Sequence, residues 1–156
     1  MTAPESLSPA GAVLIRRTTE LPGIQRALLT ARCWTRTTVT AMNWGGDMMR
    51  AVEVVSRLVD NGVRHGLPTH VPLEDRRLSL AVSLTDAGAI VFDVCDTVPA
   101  FPDWEAAIRG DKGRGLWHVA RLGARVTWFL PHEGGGKTVR AVLGPDRWPV
   151  SRAPTA

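Results

Sequence analysis

One segment constrains the fold most strongly: residues 54–66, which read V-V-S-R-L-V-D-N-G-V-R-H-G. Apolar residues recur around it at spacings of three and four, as in a helix that lays one face on a core. This apolar stripe consists of Val52, Val55, Val59 and Val63. A polar stripe repeats at every fourth residue on another face, and it consists of Glu53, Arg57, Asn61 and His65. The sequence therefore predicts a helix with one buried and one polar face.

Asn61 is the unusual member of the polar stripe. Asparagine is a weak helix former in a helix interior, and here it lies between two basic side chains, Arg57 and His65, rather than at a cap. A solvated face is the simplest explanation of such a charged stripe. A binding site is the alternative, and the C-terminal half of the chain favours it.

Length and composition indicate one soluble domain. The 156 residues suffice for a hydrophobic core, and the 44% hydrophobic and 22% charged residues are typical of globular proteins rather than of disordered or membrane classes. Asp86 and Asp93 interrupt the most apolar region, and the N-terminus lacks the pattern of a signal peptide. The sequence therefore predicts a cytoplasmic protein with no membrane segment.

Cysteine usage and charge exclude further classes of protein. Cys33 and Cys95 form neither a disulfide framework nor a metal site. The net charge of +4 permits nucleic-acid binding, but the basic residues are scattered rather than clustered, which argues against it.

The order of elements predicts an α/β two-layer sandwich, with a mostly antiparallel mixed sheet and helices on one face. Predicted strands span 12–19, 77–85, 89–95, 125–130 and 138–143; predicted helices span 24–44, from the Asp47 cap to Gly66, and 116–122. The segment Leu21-Pro22-Gly23 is expected to end the first strand. Residues 97–112 are irregular, with a helical turn at 104–108, and are interpreted as a lid.

Asp96 ends the strand that reads V-F-D-V-C-D. Asp93 and Asp96 point to opposite faces of the strand, so only one of them can face the helices. A carboxylate facing that layer needs a partner or a ligand, because burying it unpaired is costly. Alternatively, Asp96 caps the turn that follows it.

Two glycine-containing segments are further candidates. In K-G-R-G-L, Gly113 and Gly115 precede a helix, where backbone N–H groups can approach a phosphate, although a flexible turn is the commoner reading. The spacing matches neither a Walker A loop nor a dinucleotide-binding fingerprint. The segment G-G-G-K-T-V, which leads into the last strand, reads by itself as a hairpin turn.

In this order, the four segments resemble the ATP-binding (Bergerat) fold of the gyrase, chaperone, histidine-kinase and mismatch-repair superfamily. The phrases V-S-R-L-V-D-N-G-V-R-H-G, G-R-G-L-W-H-V and G-G-G-K-T-V are most similar to bacterial anti-sigma-factor serine/threonine kinases of the switch-protein type. The resemblance implies a histidine-kinase-like ATP-binding domain at 11–144, between a flexible N-terminus at 1–10 and a tail at 145–156.

The resemblance also implies a site for ATP and Mg²⁺. Asn61 would hold the Mg²⁺ ion that bridges the phosphates, a role that suits an amide oxygen. Asp96 would accept a hydrogen bond from the adenine amino group. The other implied nucleotide contacts are Arg64 and His65 beside the phosphates, the segment Gly113, Arg114 and Gly115 cradling them, and Thr138 at the adenine end.

Two positions depart from the family pattern. Arg57 occupies the place of the usual general-base glutamate, whose loss costs on the order of a hundredfold to ten-thousandfold in rate. Weak or absent phosphotransfer is therefore expected, with Arg57 either paired with Glu53 or bound to phosphate. The strand-end aspartate is followed by T-V-P-A instead of glycines, so Val98 is expected close to the adenine pocket and Pro99 is expected to stiffen the lid.

By resemblance, the protein is expected to be an ATP-binding regulator that controls transcription. Its implied partners are a sigma factor, an anti-anti-sigma antagonist protein, or both, and it is expected to form a homodimer. The alternative is a nucleotide-free protein-interaction module on the same fold.

Overall fold

The computed structural model describes residues 11–101, 103–110, 115–130 and 136–145. The predicted N-terminal segment 1–10 and the tail beyond residue 145 lie outside the described residues. The strands are β1 (Val13–Pro22), β2 (Arg77–Thr85), β3 (Ile90–Cys95), β4 (Arg125–Phe129) and β5 (Thr138–Leu143). The helices are α1 (Ala27–Ala41), α2 (Met48–His65), α3 (Trp104–Arg109) and α4 (Gly115–Arg121).

The five strands form one sheet in the order β1-β2-β3-β5-β4, and each pairing among them is antiparallel. Helices α1, α2 and α4 pack against one face of this sheet, and the main hydrophobic cluster lies between the two layers. The predicted α/β two-layer sandwich is confirmed.

The helix α2 is organised as its sequence pattern predicts. Val52, Val55 and Val59 are at most 1% exposed, and Val63 is partly buried against the main hydrophobic cluster. The predicted cap is also confirmed, because Oδ1 of Asp47 accepts hydrogen bonds from the backbone N–H groups of Met49 and Arg50, at 3.0 and 3.2 Å. The helix ends at Gly66, as expected.

The first strand extends further than predicted. It runs through Leu21, which is fully buried, and ends at Pro22 rather than at residue 19. Pro22 lacks a backbone N–H, but β1 is an edge strand of the described sheet, where a missing donor is tolerated.

The first helix is shorter than predicted at both ends. Residues 24–26 form a turn before Ala27, and the helix stops at Ala41 rather than at residue 44. Asn43 then adopts a left-handed φ of 56°, which the helix cannot continue through. The indole of Trp44 turns to the sheet, where its Nε1 donates to the carbonyl oxygen of Gly88 at 3.0 Å.

The sheet face opposite the helices carries a buried ion pair. Asp93 and Arg140 are register partners on β3 and β5, and their side chains form a bidentate contact at 2.6 and 2.8 Å. Arg16, from the edge strand, adds a third contact to Asp93 at 3.2 Å. The expectation that Asp93 and Asp96 point to opposite faces is thus confirmed.

In the part of the chain that the structure describes, no helix is long and apolar enough to cross a membrane.

Candidate functional site

A cavity of about 770 Å³ lies between the polar edge of α2 and the predicted lid. Its walls come from α2, the loop after it, the lid segment, the start of α4 and the residue before β5. The lining residues that concern the site are Asn61, Arg64, His65, Phe101, Gly115 and Lys137. The volume is within the usual range of small-molecule sites, roughly 300–1,000 Å³.

The structure brings three predicted residues of α2 to this cavity, namely Asn61, Arg64 and His65. Arg64 is held along its own helix, because its Nε donates to both oxygens of Asp60 at 2.9 and 3.0 Å. Gln25 donates to the same carboxylate at 3.3 Å. One wall of the cavity thus presents an amide, an imidazole and a guanidinium.

Arg57 is turned away from the cavity. Its Nε donates to Oε1 of Glu53 at 3.1 Å, and Arg32 of α1 donates to Oε2 of the same carboxylate at 3.3 Å. The predicted ion pair between Arg57 and Glu53 is confirmed. The position of the implied general base therefore holds a cation that belongs to a partly exposed network between α1 and α2.

Asp96 lies where the end of β3 meets the end of α2. The backbone N–H of Thr97 donates to the carbonyl oxygen of Gly66 at 3.1 Å, which ties the two ends together. A side chain at Gly66 would overlap the carboxylate of Asp96. The glycine that ends the helix therefore also makes room for Asp96.

The two carboxylate oxygens of Asp96 have different surroundings. Oδ1 accepts a hydrogen bond from the backbone N–H of Val98 at 3.0 Å, so the predicted alternative, a turn cap, is confirmed for this oxygen. Oδ2 is buried 2.8 Å from Nζ of Lys137, and the alignment of that ion pair falls short of a hydrogen bond. The ammonium group also donates to the carbonyl oxygen of Val98 at 3.2 Å.

Desolvation dominates the electrostatics of this carboxyl. Burial raises the pKa of Asp96 above its usual range, while the Lys137 ammonium and the backbone N–H groups of Val98 and Lys137 offset part of that effect. The pKa of Asp96 is therefore raised overall, and an additional N–H donor would stabilise its ionised form.

Lys137 is the residue of the site that the sequence interpretation missed. It precedes β5, and its backbone carbonyl accepts from the N–H of Asp96 at 3.0 Å, so it continues the ladder between β3 and β5. Alternation along this strand puts Lys137 on the same face as Val139 and Ala141, which belong to the main core. That shared parity with apolar residues is the signal that could have identified it.

Thr138, which was predicted at the adenine end, lies on the sheet face opposite the helices. Its Oγ1 is 3.0 Å from Sγ of its register partner Cys95, and it does not line the cavity. The cause is the two-residue period of a strand, in which a shift of one position moves a side chain to the other face. Lys137, one position earlier, lines the cavity instead.

Gly136 allows Lys137 to approach Asp96. Its φ is 126°, and a Cβ there would overlap the backbone oxygen of Asp96. Glycine adopts this backbone conformation without steric cost. The residues before it, 131–135, lie outside the described residues.

The first half of the lid packs closely on the core. Phe101 makes an edge-to-face contact with Trp104 of α3, with ring centroids 5.0 Å apart, and a tilted contact with Trp128 of β4 at 6.0 Å. The predicted turn at 104–108 is the helix α3. Val98, which was expected close to the adenine pocket, does not line the cavity; its backbone N–H donates to Asp96 and its carbonyl oxygen accepts from Lys137.

The implied phosphate cradle is described only in part. Gly115 begins α4 and lines the cavity, whereas Gly113 and Arg114 lie outside the described residues. Among the described residues, no group of three or more His, Cys, Asp and Glu side chains is placed to hold a metal ion.

Comparisons with known proteins find similarity to solved structures. No protein-family model matches the chain, and no curated protein matches it. The chain is similar to the histidine kinase domain of the blue-light activated histidine kinase from Erythrobacter litoralis EL346, at 15% sequence identity and a TM-score of 0.49. The match covers 90% of this chain and 68% of that chain.

Proposed function

We propose that this protein is an ATP-binding regulator of the anti-sigma-factor serine/threonine kinase type, with little or no phosphotransfer activity. It acts by binding a sigma factor or an anti-anti-sigma antagonist, and it does so as a homodimer. One observation carries the nucleotide part of the proposal: the buried carboxylate of Asp96, just after β3, contacts Lys137, which lines a cavity whose wall also contains Asn61.

The residues present fit the adenine end of a nucleotide. Asp96 is 7% exposed, and its Oδ2 lies 2.8 Å from Nζ of Lys137 without an aligned hydrogen bond, so an exocyclic amino group can donate the hydrogen bond that this ion pair lacks. The packing of Phe101 next to this position offers an aromatic surface at the same end of the cavity.

The residues of α2 fit the phosphate end. Arg64 and His65 can lie beside negatively charged oxygens, and the amide oxygen of Asn61 can bind Mg²⁺ together with the phosphates. When bound, Mg²⁺-ATP supplies a phosphoryl group for transfer to a serine or threonine, and positioning and metal-ion electrostatics contribute most of the stabilisation in such reactions.

The proposed lack of activity rests on Arg57. A guanidinium stays protonated in proteins, so it cannot accept a proton from an attacking hydroxyl. Glu53 lies one turn earlier and is held by two arginines, which leaves it no role as a substitute base. The proposal is therefore a protein that binds the nucleotide and signals through contact.

A second candidate function is a protein-interaction module that binds no nucleotide. The contacts of Asp96 favour it, because the turn N–H of Val98 and the ammonium of Lys137 already stabilise both of its oxygens. A site that satisfies its own carboxylate does not require a ligand to do so.

Calorimetric titration of ATP separates the two candidates. We expect heat of binding in the wild type, loss of that heat in Asp96→Ala, and unchanged binding in the matched control Asp75→Ala, which changes an aspartate in an exposed turn. Titrations with and without Mg²⁺ test the role of Asn61. No heat and no thermal shift at millimolar ATP would favour the interaction module, and robust transfer of labelled phosphate to a partner would overturn the inactive interpretation.

A further inference from the structure

We propose that Lys137 competes with adenine for Asp96. Its ammonium group occupies the place at Asp96 that the adenine amino group would take, and a bound adenine must displace it. This inference rests on the proposed nucleotide site. It assigns to Lys137 the role of a residue that sets the affinity for the base and the choice between bases.

The first observation is the order of the groups. Lys137 lines the cavity, whereas Asp96 does not, and their side chains are 3% and 1% exposed. Of these two residues, Lys137 is therefore the one that a ligand entering the cavity meets first.

The second observation is the chemistry of the contacts. An ammonium group has three donors and no acceptor, and an exocyclic amino group is likewise a donor. Oδ1 of Asp96 is already used by the N–H of Val98, and Oδ2 lies 2.8 Å from Nζ of Lys137. A carboxylate oxygen can accept more than one hydrogen bond, but Oδ2 is buried beside Nζ, so we expect the adenine amino group to reach it only after Nζ has moved.

The third observation is that the lysine is held from several sides. Its Nζ donates to the carbonyl oxygen of Val98 at 3.2 Å and lies 5.4 Å from the centroid of the Phe101 ring. Its backbone continues the ladder beside Asp96. The contacts of Nζ are lost when the ammonium moves away, so adenine binding to the wild type is weakened by their combined contribution.

A nucleobase that presents a hydrogen-bond acceptor instead of an amino group should bind without displacing Lys137. Hypoxanthine carries a carbonyl oxygen where adenine carries the amino group, and a carbonyl can accept a hydrogen bond from Lys137 without displacing it. The wild type should therefore bind inosine triphosphate at least as tightly as ATP. An adenine site with a free aspartate would show the opposite preference.

The test compares ATP and inosine triphosphate in calorimetric titrations of the wild type, Lys137→Met and Lys137→Arg. Methionine removes the charge and the donors and keeps most of the length, whereas arginine keeps the charge. We expect Lys137→Met to bind ATP at least tenfold more tightly than the wild type with no gain for inosine triphosphate, and Lys137→Arg to keep the preference of the wild type.

Other outcomes would overturn the inference. An equal gain for both nucleotides in Lys137→Met would mean that the substitution merely widens the cavity, and a loss of ATP affinity would mean that Lys137 contacts the nucleotide directly. If Lys137→Met does not fold, a wild type that clearly prefers ATP over inosine triphosphate refutes the inference by itself. If no nucleotide binds to any of the three proteins, the proposed function fails together with it.

Discussion

The buried pair of Asp93 and Arg140 allows a quantitative test of what stabilises the sheet face opposite the helices. Asp93 is 1% exposed, and it accepts from Nε and Nη2 of Arg140 at 2.6 and 2.8 Å. Arg16 contacts the same carboxylate at 3.2 Å, but its side chain is 45% exposed. One carboxylate thus has a buried partner and a solvated one.

We expect Asp93→Ala to lower the free energy of unfolding by about 3–5 kcal/mol, because it removes the carboxylate from a buried guanidinium. Arg16→Ala should lower it by less than about 1 kcal/mol, because an exposed pair gains little beyond solvation. Since single domains are stable by about 5–15 kcal/mol, the first change should shift the transition strongly and the second only slightly.

Urea unfolding followed by tryptophan fluorescence measures both changes, provided that the slope against denaturant stays constant. The control is the double substitution Asp93→Leu with Arg140→Met, which removes both charges from the buried position. It should recover most of the loss, since replacing a buried pair by apolar side chains is often close to neutral. A loss below about 1 kcal/mol in Asp93→Ala, equal to that in Arg16→Ala, would refute the assignment of the stabilisation to the buried contact.

Two further predictions concern Asp96. The pKa of Asp96 is raised in the folded state, so the carboxyl contributes its full stability below its unfolded pKa, about 3.9 for an ordinary aspartate, and loses that contribution as the pH rises through the raised value. In urea unfolding from pH 4 to 7, Asp96→Asn should therefore gain stability relative to the wild type as the pH rises. A difference that stays constant with pH would contradict the raised pKa. Gly66→Ala should lower the free energy of unfolding by about 1–3 kcal/mol, because its Cβ would press against the carboxylate of Asp96. The control is Gly45→Ala, where a Cβ meets no atom within 4 Å, and it should be close to neutral. Equal thermal shifts for the two variants would argue against the close packing of α2 on Asp96.

Local sequence patterns were sufficient to predict features that depend on a single helix or strand. The valine stripe predicts the buried face of α2, Asp47 predicts its cap, and the alternation in 77–85 and 138–143 predicts β2 and β5 with their observed bounds. These signals depend on neighbours three or four residues away along a helix or two along a strand. The same regularity puts Asn61, Arg64 and His65 on the polar side of α2, and all three line the cavity.

Element ends depended on contacts that the local sequence does not contain. The extension of β1 to Pro22 is possible because that strand lies at the sheet edge, which is a property of the whole topology. The early end of α1 reflects the packing of Trp44 against Gly88, which is 44 residues away. In both cases a distant partner overrides the local propensity.

By itself, the sequence determined the fold class, the two faces of α2 and the opposite directions of Asp93 and Asp96. Only the tertiary structure decided their partners: Arg140 and Arg16 for the first, Lys137 and the turn at Val98 for the second. It also decided that Lys137, rather than Thr138, reaches the cavity. The physical reason is that periodicity specifies the face to which a side chain points, whereas the pairing of strands distant in sequence decides which charge it meets there.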